Sequence, residues 1–196
     1  QLVIRMLRRR DQPLLHVSAH LPTLVADILA LDGELSEHVV ATSDLRAEDM
    51  ATIAEMQSQP KQLKMHDEIA QTCHKRIELS HLVDEYREAK RDAGVMDFSD
   101  QMAWGKQLAE TPEVRQALRE RFDVVLLDEY QDTSVAQAVM LSRLFSGPTP
   151  AEGRGHAVTA VGDPNQAIYG WRGASVSNIL NFADTFPSAT GAALRV

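Results

Sequence analysis

At 196 residues and 44% hydrophobic content, the chain can bury one sizeable core or two small ones. A formal net charge of -8 excludes DNA binding through a broad basic surface, but leaves open a narrow single-strand track built on stacking. The lone Cys73 excludes an internal disulfide and a cysteine-based zinc site, and no apolar run approaches the ~18 residues of a membrane span. No signal-peptide pattern opens the chain, so the expected setting is a reducing cytoplasm.

The first half reads as helices, without internal repeats or low-complexity stretches. Arg8-Arg9-Arg10 reads as a solvated helix end rather than a phosphate contact. Leu24, Ile28, Leu31 and Leu35, with Val25 and Leu29 beside them, keep the spacing of one helix face. Thr42-Ser43-Asp44 offers a cap for a second helix through Ile53 and Met56, which must stop before Pro60. A long third helix is expected over 61–93, with Met65, Ile69, Cys73, Leu82 and Tyr86 as its buried stripe and Gly94 as its stop. His74 and His81 fall seven apart on that helix, but no third ligand has matching spacing, so no metal site is expected.

The pattern changes after Asp97. Asp97 or Ser99 can cap a helix carrying Met102, Trp104 and Leu108, and Thr111-Pro112-Glu113 has the chemistry of another helix start. Val124-Val125-Leu126-Leu127 is a short continuous apolar run, the signature of a parallel strand buried on both faces. A helix over 134–145, a loop over 148–155, a strand over 157–161 and a helix over 175–186 follow, the last closed by Pro187. Strand, helix, strand, helix in this order implies an α/β fold with a parallel sheet.

Two segments carry chemistry. In open parallel sheets, ligands bind beyond the carboxyl ends of the strands, where Asp128 and Glu129 fall. One carboxylate there can hold magnesium, and its neighbour can deprotonate an attacking water. The bland alternative is a solvated acidic strand end. The second segment, Val161-Gly162-Asp163-Pro164-Asn165-Gln166-Ala167-Ile168-Tyr169-Gly170-Trp171-Arg172-Gly173-Ala174, puts a polar turn, two aromatics and an arginine after the other strand. Its bland alternative makes both aromatics core residues of the sheet.

Asp128-Glu129-Tyr130-Gln131-Asp132-Thr133 resembles motif II, the Walker B element, of the UvrD/Rep/PcrA-type superfamily 1 helicases. The 161–174 segment resembles motif III of the same family almost residue for residue, and Gly94-Val95-Met96-Asp97-Phe98 resembles the run where its helical 1B insertion returns to the motor. The resemblance covers the whole chain and rests on residues 94 to 186. It implies a helical 1B-like subdomain over 1–94 and, over 95–196, the carboxyl-terminal part of RecA-like motor domain 1A, a parallel-sheet P-loop NTPase. By that resemblance Asp128 binds the Mg2+ of ATP and Glu129 is the general base. Gln131 and Asp132 couple the nucleotide site to the motor, and Gln166 senses the γ-phosphate. Tyr169 and Trp171 line the single-stranded DNA track, and Arg172 bridges motif III to the nucleotide side. The implied partners are single-stranded DNA, single/double-strand junctions and the remainder of the helicase polypeptide, with no membrane.

No P-loop, Gly-x-x-x-x-Gly-Lys-Ser/Thr, is present: Gly105-Lys106 has Asp100 where the first glycine belongs and Gln107 where the hydroxyl belongs. The family's motif Ia and second motor domain are also missing. The expectation is therefore an internal segment, inactive alone, of an ATP-dependent 3′–5′ DNA helicase of repair or recombination. The alternatives are a truncated, non-catalytic paralogue that binds DNA or protein, disfavoured by its intact acids, and a RecA-like ATPase without a DNA role, disfavoured by the 169–172 turn.

Overall fold

The computed structural model describes residues 1–170 and 174–187. The chain forms two compact units: the first is Gln1–Ser36 with Val40–Asp97, and the second starts at Phe98 and also takes in Glu37–Val39.

The first unit contains α1 (Leu2–Arg8), α2 (Leu21–Glu37), α3 (Thr42–Ser58) and α4 (Lys64–Asp92). Leu24, Ile28 and Leu35 of α2 pack with Leu79, Leu82, Val83 and Tyr86 of α4 and Val3 of α1. The 3.6-residue stripe placed these side chains, but it also admits Asp32, which is 3% exposed on the same face. That acid is tolerated because it is paired: Lys90 Nζ donates to Asp32 Oδ2 at 3.0 Å and Arg87 Nε to Oδ1 at 2.6 Å. Lys90 also donates to Asp97 Oδ2 at 2.8 Å, as does the Tyr86 hydroxyl at 3.1 Å. Asp49, wholly buried on α3, takes both arms of the Arg76 guanidinium.

Several expectations need correction here. Thr42 is the first residue of α3, not its cap; Ala41 holds the cap position, and the Thr42 hydroxyl donates to Asp84 Oδ1 at 2.7 Å. Met65 and Leu29 are exposed, because the start of α4 and that side of α2 have no neighbour to pack against. Arg10 is not a solvated helix end but pairs with Glu85. Gly94 follows α4 with φ +62, a conformation that suits a residue without Cβ.

The second unit runs α5 (Phe98–Ala109), α6 (Pro112–Arg121), β1 (Val124–Leu127), α7 (Val135–Phe145), β2 (Ala157–Ala160), α8 (Val176–Leu180) and α9 (Phe182–Thr185). Thr111 is the N-cap of α6 with proline following, although its hydroxyl makes no capping bond. Ser134 caps α7 in a reciprocal box with Gln137. The strands pair in parallel, Val124 opposite Ala157 and Leu127 opposite Ala160, so the fold is α/β. Its core gathers Tyr130, Phe145 and Phe186 with Val125, Leu127, Val158, Ile179 and Phe182.

Burial on both faces of β1 is not observed. Val125 and Leu127 pack inward, whereas Val124 and Leu126 are 57% and 75% exposed. On both strands only alternate residues turn inward, and those are partly buried. Trp104 and Leu108 of α5 are likewise more than half exposed. The expected single helix over 175–186 breaks at Asn181 into α8 and α9, with φ -97 and ψ 15 there, and the Asn181 carbonyl accepts from the N–H of Thr185 at 3.1 Å.

Candidate functional site

Parallel pairing puts the carboxyl ends of β1 and β2 side by side. The ladder continues past the strands: Val161 N–H donates to Leu127 O at 2.8 Å and Tyr130 N–H to Val161 O at 3.0 Å. The chain then turns sharply at Glu129, which adopts a left-handed φ of 51 and ψ of 40. A side chain with a Cβ is uncommon there, and such strain persists only where its surroundings hold it.

The holding group is Gln131, 1% exposed in the 3-10 turn Tyr130–Asp132. Its Nε2 donates to Glu129 Oε2 at 2.6 Å, and its Oε1 accepts from Asp163 N–H at 3.0 Å. One buried amide therefore joins the acid after β1 to the main chain after β2. Gly162 makes room for it: a Cβ there would meet Gln131 Oε1, Gln131 N and Ile179 Cδ1. Beneath lies Tyr130, 1% exposed and edge-on to Phe182 at 5.5 Å, its phenol pushed up to about 12 by burial.

Asp128 and Glu129 are both exposed. Asp128 Oδ1 accepts from Glu129 N–H at 2.9 Å. Asp132 is half-buried, and its Oδ1 is enclosed without a hydrogen-bond partner among the described residues. The turn after β2 is organised by Asp163, which accepts from Asn165 N–H at 2.9 Å and from the Gln166 amide at 2.9 Å. Those donors, Asn165 N–H foremost, hold its carboxyl below the usual range. Gln166 is thus engaged within its own turn. Tyr169 is 38% exposed beyond that turn, while Trp171 and Arg172 lie outside the described residues.

The structure therefore brings Asp128, Glu129, Gln131 and Asp132 together with Asp163 and Gln166 at one sheet edge. Sequence reasoning missed Gly162 and Asp163 as organisers of that edge; the Gly-Asp-Pro run after a strand was the available signal. It also missed Asn178, whose side chain donates to Thr133 O at 2.8 Å and anchors α8 to the segment after β1. Among the described residues, no group of three or more His, Cys, Asp or Glu side chains could by itself hold a metal ion.

Comparison with known proteins gives this edge a context. The chain is 43% identical over 105 residues to DNA helicase II of Escherichia coli, covering 53% of this chain and 14% of that protein. It is 37% identical over 113 residues to DNA helicase II of Rickettsia typhi, covering 56% and 16%. Against the ATP-dependent DNA helicase UvrD1 of Mycobacterium tuberculosis the figures are 36% over 115 residues, 56% and 14%. The matched stretch thus spans about one-seventh of the length of these relatives. A family model described as the UvrD/REP helicase N-terminal domain matches residues 8–187, nearly the whole chain, and the chain belongs to that family.

Proposed function

We propose that this chain is an internal part of an ATP-dependent DNA helicase, carrying the acids that hold magnesium and activate water together with the turn that reports on the nucleotide. The helical unit, continued to Asp97, is its 1B-like subdomain, and the remainder is the carboxyl-terminal part of RecA-like domain 1A. The observation that carries this reading is the Gln131 bridge between Glu129 and Asp163.

The donor set suits Mg2+. Asp128 is exposed and has one carboxylate oxygen engaged by its neighbour's N–H. Magnesium keeps several waters and takes one or two carboxylates plus phosphate oxygens, so a dedicated protein cage is not required. When bound, magnesium–ATP supplies the phosphoryl group and the charge neutralisation its transfer needs. Glu129 is the general base, its carboxylate oriented by the Gln131 amide. Gln131 and the half-buried Asp132 couple that acid to the segments on either side. Gln166 senses the γ-phosphate, and its amide can both donate and accept. Its bond to Asp163 links that sensing to the end of β2.

Tyr169 and Trp171 form the single-strand track, on which stacking of ~1–3 kcal/mol per base is indifferent to sequence. Arg172 bridges the track to the nucleotide side. The parent tracks 3′ to 5′ on single strands and at single/double-strand junctions, in DNA repair or recombination in the cytoplasm. The chain alone neither hydrolyses ATP nor unwinds DNA.

The first test is the coding sequence upstream of Gln1. An in-frame Gly-x-x-x-x-Gly-Lys-Thr there supports the reading, and a start codon there replaces it with a non-catalytic binding module. Mg2+-dependent ATP turnover by the isolated chain, abolished by Glu129→Gln, would overturn the predicted inactivity.

A further inference from the structure

The opposite end of the sheet gathers three arginines and a histidine around one cleft, with two acids among them. Arg115 and Arg119 stand one turn apart on α6, and Arg154 and His156 lie on the loop leading into β2. Together they line an open cleft of about 500 Å3. Arg119 and His156 come just before β1 and β2, so the cleft and the acids after those strands are separated by a strand length, ~13 Å for four residues.

The two acids of the cleft are each hydrogen-bonded to a neutral side chain, and neither is ion-paired with an arginine among the described residues. Glu120 accepts from the Gln116 amide at 2.8 Å and Glu152 from the Thr149 hydroxyl at 2.6 Å. Among the described residues, no ion pair involves Arg115, Arg119 or Arg154. Arg119 donates to the main-chain carbonyls of Leu144, at 3.3 Å, and Glu152, which fixes the loop against the end of α7. Gly153, with φ +113, passes close enough to Arg119 Nη1 that a Cβ would collide with it. Burial, and after it the neighbouring Arg115, lower the Arg119 pKa, while Glu152 raises it. Arg115 Nε and His156 Nε2 are enclosed and have no hydrogen-bond partner among the described residues.

Solvated surface arginines do not account for this arrangement. They would take partners from a chain with 28 acidic residues against 20 lysines and arginines. Arginines gathered on one cleft, one with an unfilled donor, carry a cost that an oxyanion relieves, and the forked guanidinium matches phosphate oxygens in pairs. We propose that Arg115, Arg119, Arg154 and His156 form a phosphate-binding site at the amino ends of β1 and β2, distinct from the acids at the carboxyl ends. Its ligand is a phosphate group, either free or part of a nucleic-acid strand.

The test follows the arginine Nε–H signals of the 196-residue chain by NMR. Inorganic phosphate is titrated at constant ionic strength against chloride, and the titration is repeated with a short single-stranded oligonucleotide. Saturable shifts at Arg115, Arg119 and Arg154 are expected, and the Arg119 shift, read in the double substitution Arg115→Gln with Arg154→Gln, weakens about tenfold or more. Arg91→Gln, on α4, leaves them unchanged. Neither Arg115 nor Arg154 holds the loop in place, so the double variant keeps its helical circular dichroism. If that signal drops, Arg154→Gln alone carries the comparison. An oligonucleotide that competes with phosphate for these signals assigns the site to a strand backbone, and one that leaves them unmoved assigns it to free phosphate. Shifts that spread evenly over all exposed arginines without saturating, or that survive the double substitution, overturn the proposal.

Discussion

The helical unit and the motif-bearing unit differ in how far they satisfy buried polarity. In the first, Asp32 meets Lys90 and Arg87, Asp49 meets Arg76, and Lys90 meets Asp97 as well. Even the stretch before α2 is tied down, since Glu78 accepts the N–H groups of Leu15, His16 and Val17 at 2.7–2.8 Å. Burial alone would raise the Glu78 pKa, yet those three donors hold it below the usual range. Among the described residues, one side-chain group of the helical unit, His66 Nδ1, is enclosed without a partner, against four in the second unit, Tyr130 Oη, Asp132 Oδ1, Arg115 Nε and His156 Nε2, where Val124, Leu126 and Val161 also stand exposed. A scaffold satisfies its polar groups internally, whereas a working edge keeps some available for what binds it.

That contrast is broken most severely at Glu129. In the proposed parent helicase, Glu129→Gln is expected to reduce turnover by about 10²–10⁴-fold while nucleotide binding persists. Steady-state hydrolysis and a nucleotide-binding titration measure the two separately. Retained turnover would remove the base from this position. In the helical unit the largest effect is expected from Lys90→Met. It withdraws the cation between Asp32 and Asp97 and costs ~3–5 kcal/mol in urea unfolding, the usual penalty for stranding a buried charge. A loss under ~1 kcal/mol would show that Arg87 alone satisfies Asp32.

Gly162→Ala probes the bridge itself. The added Cβ meets the Gln131 amide oxygen, on a side chain that is buried and held by two hydrogen bonds, together with the Gln131 backbone N and Ile179 Cδ1, so ~1–3 kcal/mol of stability is expected to be lost. In the parent, turnover should fall with it, because the displaced Gln131 amide releases the Glu129 carboxylate. Unchanged turnover with reduced stability would confine Gln131 to a structural role.

Much of this arrangement was legible from residue order, but not its partners. Periodicity located α2 through Leu24, Ile28 and Leu35, and the apolar run located β1, because both patterns are properties of short segments. Asp32 escaped notice since an acid on an apolar stripe reads as an interruption until Lys90, 58 residues away, is seen to meet it. The exposed faces of Val124 and Leu126 were invisible for a related reason. An apolar run says that a strand can be buried twice, and only the assembled layers say how often it is. At the site, the motif resemblance located Glu129 and Gln131, yet their bond and the left-handed turn that permits it depend on Asp163 and Gly162 across the sheet.

The smallest expected effects give the sharpest comparison, because both units bury one tyrosine whose phenol is pushed up to about 12. Burial is the leading cause in each, with Asp97 adding to it at Tyr86. A phenol is neutral when protonated, so a folded value above the unfolded ~10 favours the native state fully below pH ~10. That contribution is lost as pH rises from there through about 12, and both units should lose stability across that alkaline window. At neutral pH the two tyrosines differ. Tyr86 donates to Asp97 at 3.1 Å, so Tyr86→Phe is expected to cost ~1 kcal/mol. Tyr130 Oη has no partner, and Tyr130→Phe is expected to be neutral or slightly stabilising while removing its share of the alkaline loss. Urea unfolding at pH 7 and pH 11 separates these outcomes. If Tyr130→Phe proves as costly as Tyr86→Phe at pH 7, the Tyr130 hydroxyl has a partner after all, and the contrast between a satisfied scaffold and an unsatisfied edge fails at its most buried residue.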